Sequence, residues 1–382
     1  MVLSRELYVA HKPHSTLGKY HKEQQNGLKN RINFYKKYEE ETQREKKVVG
    51  CYRVAIKTVN DILQLRGSLQ KASTALDGFA LLLTNNPSMA LYGYDGQLAQ
   101  RLPPREAQLL TNCENLTNEE LAKEFEDWCY SVTQDVKSSG FDRIKREDVS
   151  VEVWEGDFNE RIERNRSHII AESIGADWIL SIDHDEILED RITRSHIDKC
   201  VKNPNPYVMS YSVGWINHYE SMSLFRTDYP YCIGYKSGMY GQRLWKVIKK
   251  SPMRITGGTD IGLHCGNSPE YSLSVIKGTG IRFRHLSGLR QIDRAHKEKF
   301  YDAIDTEKNK KLLGNKDYSH LSKGENVRVS IYNPRNGIGF SMLCYENEEV
   351  QYVMNWLDNM HTVADDICLL IVTGKPIPFL GL

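Results

Sequence analysis

The run Trp178-Ile179-Leu180-Ser181-Ile182, which breaks off into Asp183-His184-Asp185-Glu186, constrains this chain more than any other feature. An apolar run of that length reads as a buried strand, and such strands belong to sheets covered on both faces. Acids crowded at the strand end repel one another and lose hydration, which is unfavourable unless something positive sits among them. A hard cation is the simplest answer, and Mn²⁺ or Mg²⁺ suits carboxylate oxygens and the phosphates of a bound nucleotide. Asp183 and Asp185, two apart on an extended backbone, are expected to face one side and to share one ion or one nucleotide. The plainer alternative is that the acids only cap a following helix.

The segments before the run favour the ligand reading. Residues 52–59 read as a strand, 61–71 as a helix and 78–83 as a second strand that stops at Thr84-Asn85-Asn86-Pro87. Thr117 and Glu120 form a capping box for a helix whose apolar stripe is Leu121, Phe125, Trp128, Val132 and Val136. A strand at 149–154, a helix over 160–173 closed by Gly175, and the strand at 177–182 follow. Alternating strands and helices predict an α/β sheet, whose ligands gather beyond the carboxyl ends of its strands. Further strands are expected at 207–215, 242–248 and 280–285, with a helix over 291–304.

Composition excludes some classes. With 51 Lys and Arg against 50 Asp and Glu, the chain lacks the positive field of a general nucleic-acid binder. Its eight cysteines are scattered singly, as reduced thiols rather than a disulfide framework. No stretch of about 18 apolar residues offers a membrane span, so a soluble, cytoplasmic protein is expected. Residues 1–48 read as a polar helical extension, with Leu28, Ile32, Tyr35 and Tyr38 at helical spacing. Residues 49–320 form the main domain. Residues 326–382 read as a strand, a helix and a strand that repeat the opening of that domain, ending in Thr373-Gly374-Lys375-Pro376. They are expected to be a C-terminal cap or the start of a second module in a longer protein.

The set Trp154, Asp157, Phe158, Arg164, Asn165, Asp177, Trp178, Ile179, Asp183 and Asp185 resembles the central motif of glycosyltransferase family 2. The resemblance covers about residues 52–305 and implies a GT-A fold, a mixed Rossmann-like sheet flanked by helices. It also implies a nucleoside-diphosphate sugar as donor, with Asn60, Asp61, Asp157, Arg164, Asn165 and Asp183 toward the nucleotide. Asp183 and Asp185 are then metal ligands, with His264 or His285 as a further one, and Asp260 is the expected catalytic base. The turn Thr84-Asn85-Asn86 departs from the family in having no acid where many members contact the base.

By the same resemblance the sugar passes to its acceptor with inversion, in one displacement assisted by one base. The acceptor class stays open between glycan, protein and a modified nucleic-acid base. Trp215, Tyr219 and Trp245 read either as a sugar platform or as core. A nucleotidyltransferase uses similar acids, but 54–60 lacks the glycine-rich basic signature it needs. A non-catalytic sugar-nucleotide or glycan-binding module with a structural cation is the other alternative.

Overall fold

The computed structural model describes residues 44–92, 102–136, 143–203, 208–228, 240–249, 252–258, 265–269, 275–305, 327–332, 339–345 and 366–372. Nearly all of the 1–48 extension therefore lies outside the described residues. The chain divides into two compact units, one of Lys46–Val201 with Tyr207–Asn336, the other of Met1–Glu45, Lys202–Pro206 and Gly337–Leu382.

The larger unit opens with strand β1 (Val48–Val54), helix α1 (Val59–Ala72) and strand β2 (Gly78–Leu83). All six residues of β2 are buried, as expected of a strand covered on both faces. Helix α1 starts where it does because Thr58 and Asp61 form a capping box, the Asp61 carboxylate accepting from the Thr58 amide at 2.8 Å. β1 begins before the sequence suggests because Gly50 is a packing device rather than a breaker. A Cβ there would lie 2.9 Å from Leu76 Cδ1 and 3.0 Å from Phe79 Cδ1, so a larger residue would force these side chains to shift.

Helices α2 (Pro104–Asn112) and α3 (Asn118–Gln134) follow, the latter capped by Thr117 and Glu120 as its sequence predicts. Then come β3 (Val149–Val153), α4 (Glu160–Ser173), β4 (Trp178–Asp183), the short β5 (Glu186–Leu188) and α5 (Arg194–Val201). Gly175, at φ 87°, takes the left-handed conformation that ends α4 and turns the chain into β4. The unit closes with β6 (Val208–Tyr219), β7 (Ser221–Arg226), β8 (Tyr240–Lys246), β9 (Val275–His285), helix α6 (Gln291–Ile304) and β10 (Val329–Ile331).

β3, β2, β1 and β4 lie side by side and parallel. β8 runs antiparallel beside β4, β6 antiparallel beside β8, and β9 parallel along β6 from Val208 to Asn217 while also pairing with β5. β7 and β10 extend the sheet beyond β6. The product is a large mixed, curled sheet flanked by helices, compatible with a Rossmann-like α/β fold. One core lies on the face covered by α1 and α3, where Tyr52, Leu65, Leu69, Phe79, Phe125 and Leu180 are buried. A second, smaller one lies under α4 around Val49, Leu82, Ile170, Ile179 and Trp245. No described helix is long and apolar enough to cross a membrane. Cys51, Cys113, Cys129, Cys200 and Cys265 are free and buried.

In the smaller unit, β11 (Gly339–Tyr345) pairs in parallel with β12 (Asp366–Val372). The helix expected between them lies outside the described residues. β10, which falls inside the predicted 326–382 segment, pairs with β7 of the main sheet instead.

His168 on α4 is buried to 1 % and packs edge-on against Trp245 with ring centroids 4.7 Å apart. Its Nδ1 has no hydrogen-bond partner among the described residues, and burial pulls its pKa down to about 3. The unfolded chain takes up the proton near the ordinary value of about 6.5, so the folded state loses stability as pH falls from there toward 3. At about 1.36 kcal/mol per unit, roughly 2 kcal/mol is gone at pH 5. His168→Phe keeps a ring against Trp245 and removes the titration. Urea denaturation should therefore fall off less steeply from about pH 6.5 to 5 in the variant than in the parent; equal slopes would refute this.

Candidate functional site

The acid cluster sits at the carboxyl ends of β1 and β4, which pair with Arg53 opposite Asp183. His184 and Asp185 form a turn between β4 and β5, so the alternation expected of an extended strand stops at Asp183. The acids consequently have different protein neighbours.

Asp183 Oδ1 lies 3.2 Å from Arg164 Nη1, and its Oδ2 lies 3.5 Å from Arg243 Nη2. Burial would raise its pKa, but Arg164 and Arg243 hold the carboxyl well below the usual carboxylate range. Glu186 turns inward with 1 % exposure: its Oε1 accepts from Trp215 Nε1 at 2.6 Å and Arg243 Nη2 at 2.7 Å, its Oε2 from the Asp183 amide at 2.9 Å. Burial nevertheless pushes its pKa up. Asp185 has other partners. Its Oδ2 is 3.2 Å from His285 Nε2 and 3.8 Å from Lys297 Nζ. Against the upward pull of burial, His285 and Lys297 hold its pKa well below the ordinary value.

The remaining sequence-predicted residues divide. The Asp61 carboxylate accepts from the amides of Lys57 and Thr58 at 2.8 Å each, and its Oδ1 stands 3.6 Å from His184 Nε2. Asn60 Nδ2 donates to Asp293 Oδ2 on α6 at 3.5 Å. Asp157 is exposed, in the loop between β3 and α4, and its carbonyl accepts from Trp154 Nε1 at 3.1 Å. Arg164 gives Nε and Nη2 to Glu160 Oε1 at 2.9 and 2.8 Å, so its guanidinium is shared between two carboxylates. Asn165 exchanges hydrogen bonds of 2.9 and 2.8 Å with the backbone of Ile255 and so positions 252–258. Asp260 and His264 lie outside the described residues.

Helix α6 runs along the mouth of the site. Its Phe300 meets Phe158 edge-on, ring centroids 5.6 Å apart, and Lys57 Nζ lies 4.2 Å above the Phe300 ring. Burial lowers the Lys57 pKa against the opposing pull of Asp61. The aromatic residues read as a sugar platform are packing groups: Trp245 is 1 % exposed, Tyr219 lies beneath Arg226 and Arg294, and Trp215 lies under Arg243. Arg243, Asn217 and Lys297 escape sequence reasoning because they join the acids through tertiary folding, with no local motif around any of them.

Among the described residues no group of three or more His, Cys, Asp and Glu is gathered in the manner of an all-protein metal cage. The donor set of Asp185 and His285 fits a divalent cation that completes its shell with phosphates and water. The second nitrogen of His285, Nδ1, lies 2.8 Å from Asn217 Oδ1, an outer contact of the kind that metal-binding histidines have. Asp183 fits less well, since a guanidinium neighbours each of its oxygens. No protein-family model matches the chain, and no curated protein matches it.

Proposed function

We propose that this chain is a glycosyltransferase of the GT-A type that takes a sugar from a nucleoside-diphosphate sugar, with Mn²⁺ or Mg²⁺ held by Asp185 and His285. The observation that carries this reading is the meeting of Asp185 and His285 at 3.2 Å, where β4 ends and β9 returns beside β5. Parallel strands that end in acids supply the crevice in which nucleotides bind in open α/β sheets.

In this reading Asn60, Asp61 and Asp157 lie toward the nucleoside, and Lys57 and Lys297 toward the phosphates. Arg164 and Arg243 keep Asp183 ionised and fixed. A bound cation supplies positive charge against the diphosphate as it leaves. Asp260 is the proposed base for the acceptor, and inversion follows from the family resemblance. The acceptor is a glycan, a protein or a modified nucleic-acid base.

The test is incubation with a panel of nucleoside-diphosphate sugars and Mn²⁺, following release of nucleoside diphosphate. Release that stops on chelation is the expected result. Pyrophosphate from nucleoside triphosphates would instead favour the nucleotidyltransferase, and metal-dependent donor binding without turnover would favour a binding module.

A further inference from the structure

We infer that Asn217 is a positioning residue for the cation site: its side-chain oxygen fixes the ring of His285 so that Nε2, not Nδ1, is the atom offered to the metal. The inference rests on the proposal that Asp185 and His285 hold a divalent cation.

An imidazole has two nitrogens, and a neutral ring carries its proton on one of them. A metal takes the bare nitrogen, so whatever accepts the proton of the other decides which atom that is. Here the backbone makes the choice available. Asn217 on β6 and His285 on β9 are register partners in parallel strands, which puts their side chains on the same face as neighbours. Asn217 is 7 % exposed, and its Oδ1 is 2.8 Å from His285 Nδ1. Ser287 Oγ, at 3.5 Å from the same nitrogen, is the more distant neighbour. An amide oxygen only accepts, so the Nδ1 it meets carries a proton; Nε2, 3.2 Å from Asp185 Oδ2, is the nitrogen on the carboxylate's side, and it gives up its proton when a cation takes that place between them.

The role belongs to the acceptor oxygen, which tells two substitutions apart. Asn217→Asp keeps an acceptor of the same size, and Asn217→Leu keeps the size without it. Mn²⁺ binding to the full chain, read by electron paramagnetic resonance as free ion remaining, should be as tight or tighter in Asn217→Asp. In Asn217→Leu it should be weaker by about 10–100-fold. Unfolding midpoints without metal identify a variant that has lost its fold. A measurement on the unsubstituted chain does not depend on either variant. With diamagnetic Zn²⁺ bound, the ¹⁵N shifts of His285 should show a protonated Nδ1 and a metal-bound Nε2.

Mn²⁺ binding that is lost in Asp185→Asn but unchanged in a folded Asn217→Leu overturns the inference alone. So does a weak Asn217→Asp, or a metal-bound Nδ1 with Zn²⁺. If the parent chain takes up no Mn²⁺, or Asp185→Asn takes up as much as the parent, the cation site itself is overturned and the inference with it.

Discussion

Asp185→Asn is expected to leave a folded chain whose Mn²⁺-dependent release of nucleoside diphosphate is down by about 10²–10³-fold, the usual loss when one preorganised electrostatic contact is removed. The change removes a charge while keeping the volume, and Asp185 keeps its surroundings through His285 and Lys297, neither of which is deeply buried. Unfolding without metal should therefore shift little, while an Mn²⁺ titration should need far more ion. Near-full turnover at ordinary Mn²⁺ would refute the assignment. Asp183→Asn makes the contrast: it leaves Arg164 and Arg243 facing a neutral group, so its first effect should be on stability.

Arg243→Leu should destabilise the fold by about 3–5 kcal/mol, the range for breaking a buried ion pair from one side. Arg243 and Glu186 have side chains only 4 % and 1 % exposed, and their 2.7 Å contact joins β8 to the start of β5. Without the guanidinium, Glu186 keeps Trp215 and the Asp183 amide but loses its countercharge. Pairing Arg243→Leu with Glu186→Leu should recover part of the loss, because it removes the uncompensated charge but takes the acceptor from Trp215 Nε1 and the Asp183 amide. Chemical denaturation of the two variants checks both statements. A single-variant loss below about 1 kcal/mol would show that water reaches the pair.

What could be read from the sequence follows from the range of the forces involved. Helix α3 and its capping box, β2 and α6 were legible because short-range signals, capping residues and apolar spacing, govern them. β1 starts earlier than its texture suggests because Gly50 answers to Leu76, a partner that only the fold supplies. β5, β7 and β10 carry little local pattern and exist as pairings with distant strands. The acid cluster was legible as a place, since crowded carboxylates after an apolar strand need an explanation whatever surrounds them. Its division was not: the turn at His184-Asp185 sends Asp183 to the arginines and Asp185 to His285. Asn165 likewise sits in a motif that points to the nucleotide, yet it spends its amide on Ile255.

The carboxylate of Asp61 serves two masters, closing the cap of α1 through the amides of Lys57 and Thr58 and facing His184 inside the acid cluster. Burial would raise its pKa, but His184 and those amides keep it below the ordinary value, so one charge is shared by a helix end and the crevice at the end of β4. Free energy exchanged this way is reciprocal. Whatever steadies His184 also slows the fraying of the first turn of α1, and whatever frays that turn loosens the crevice. The start of α1 is thus both an anchor of the fold and a gauge of the state of the turn after β4.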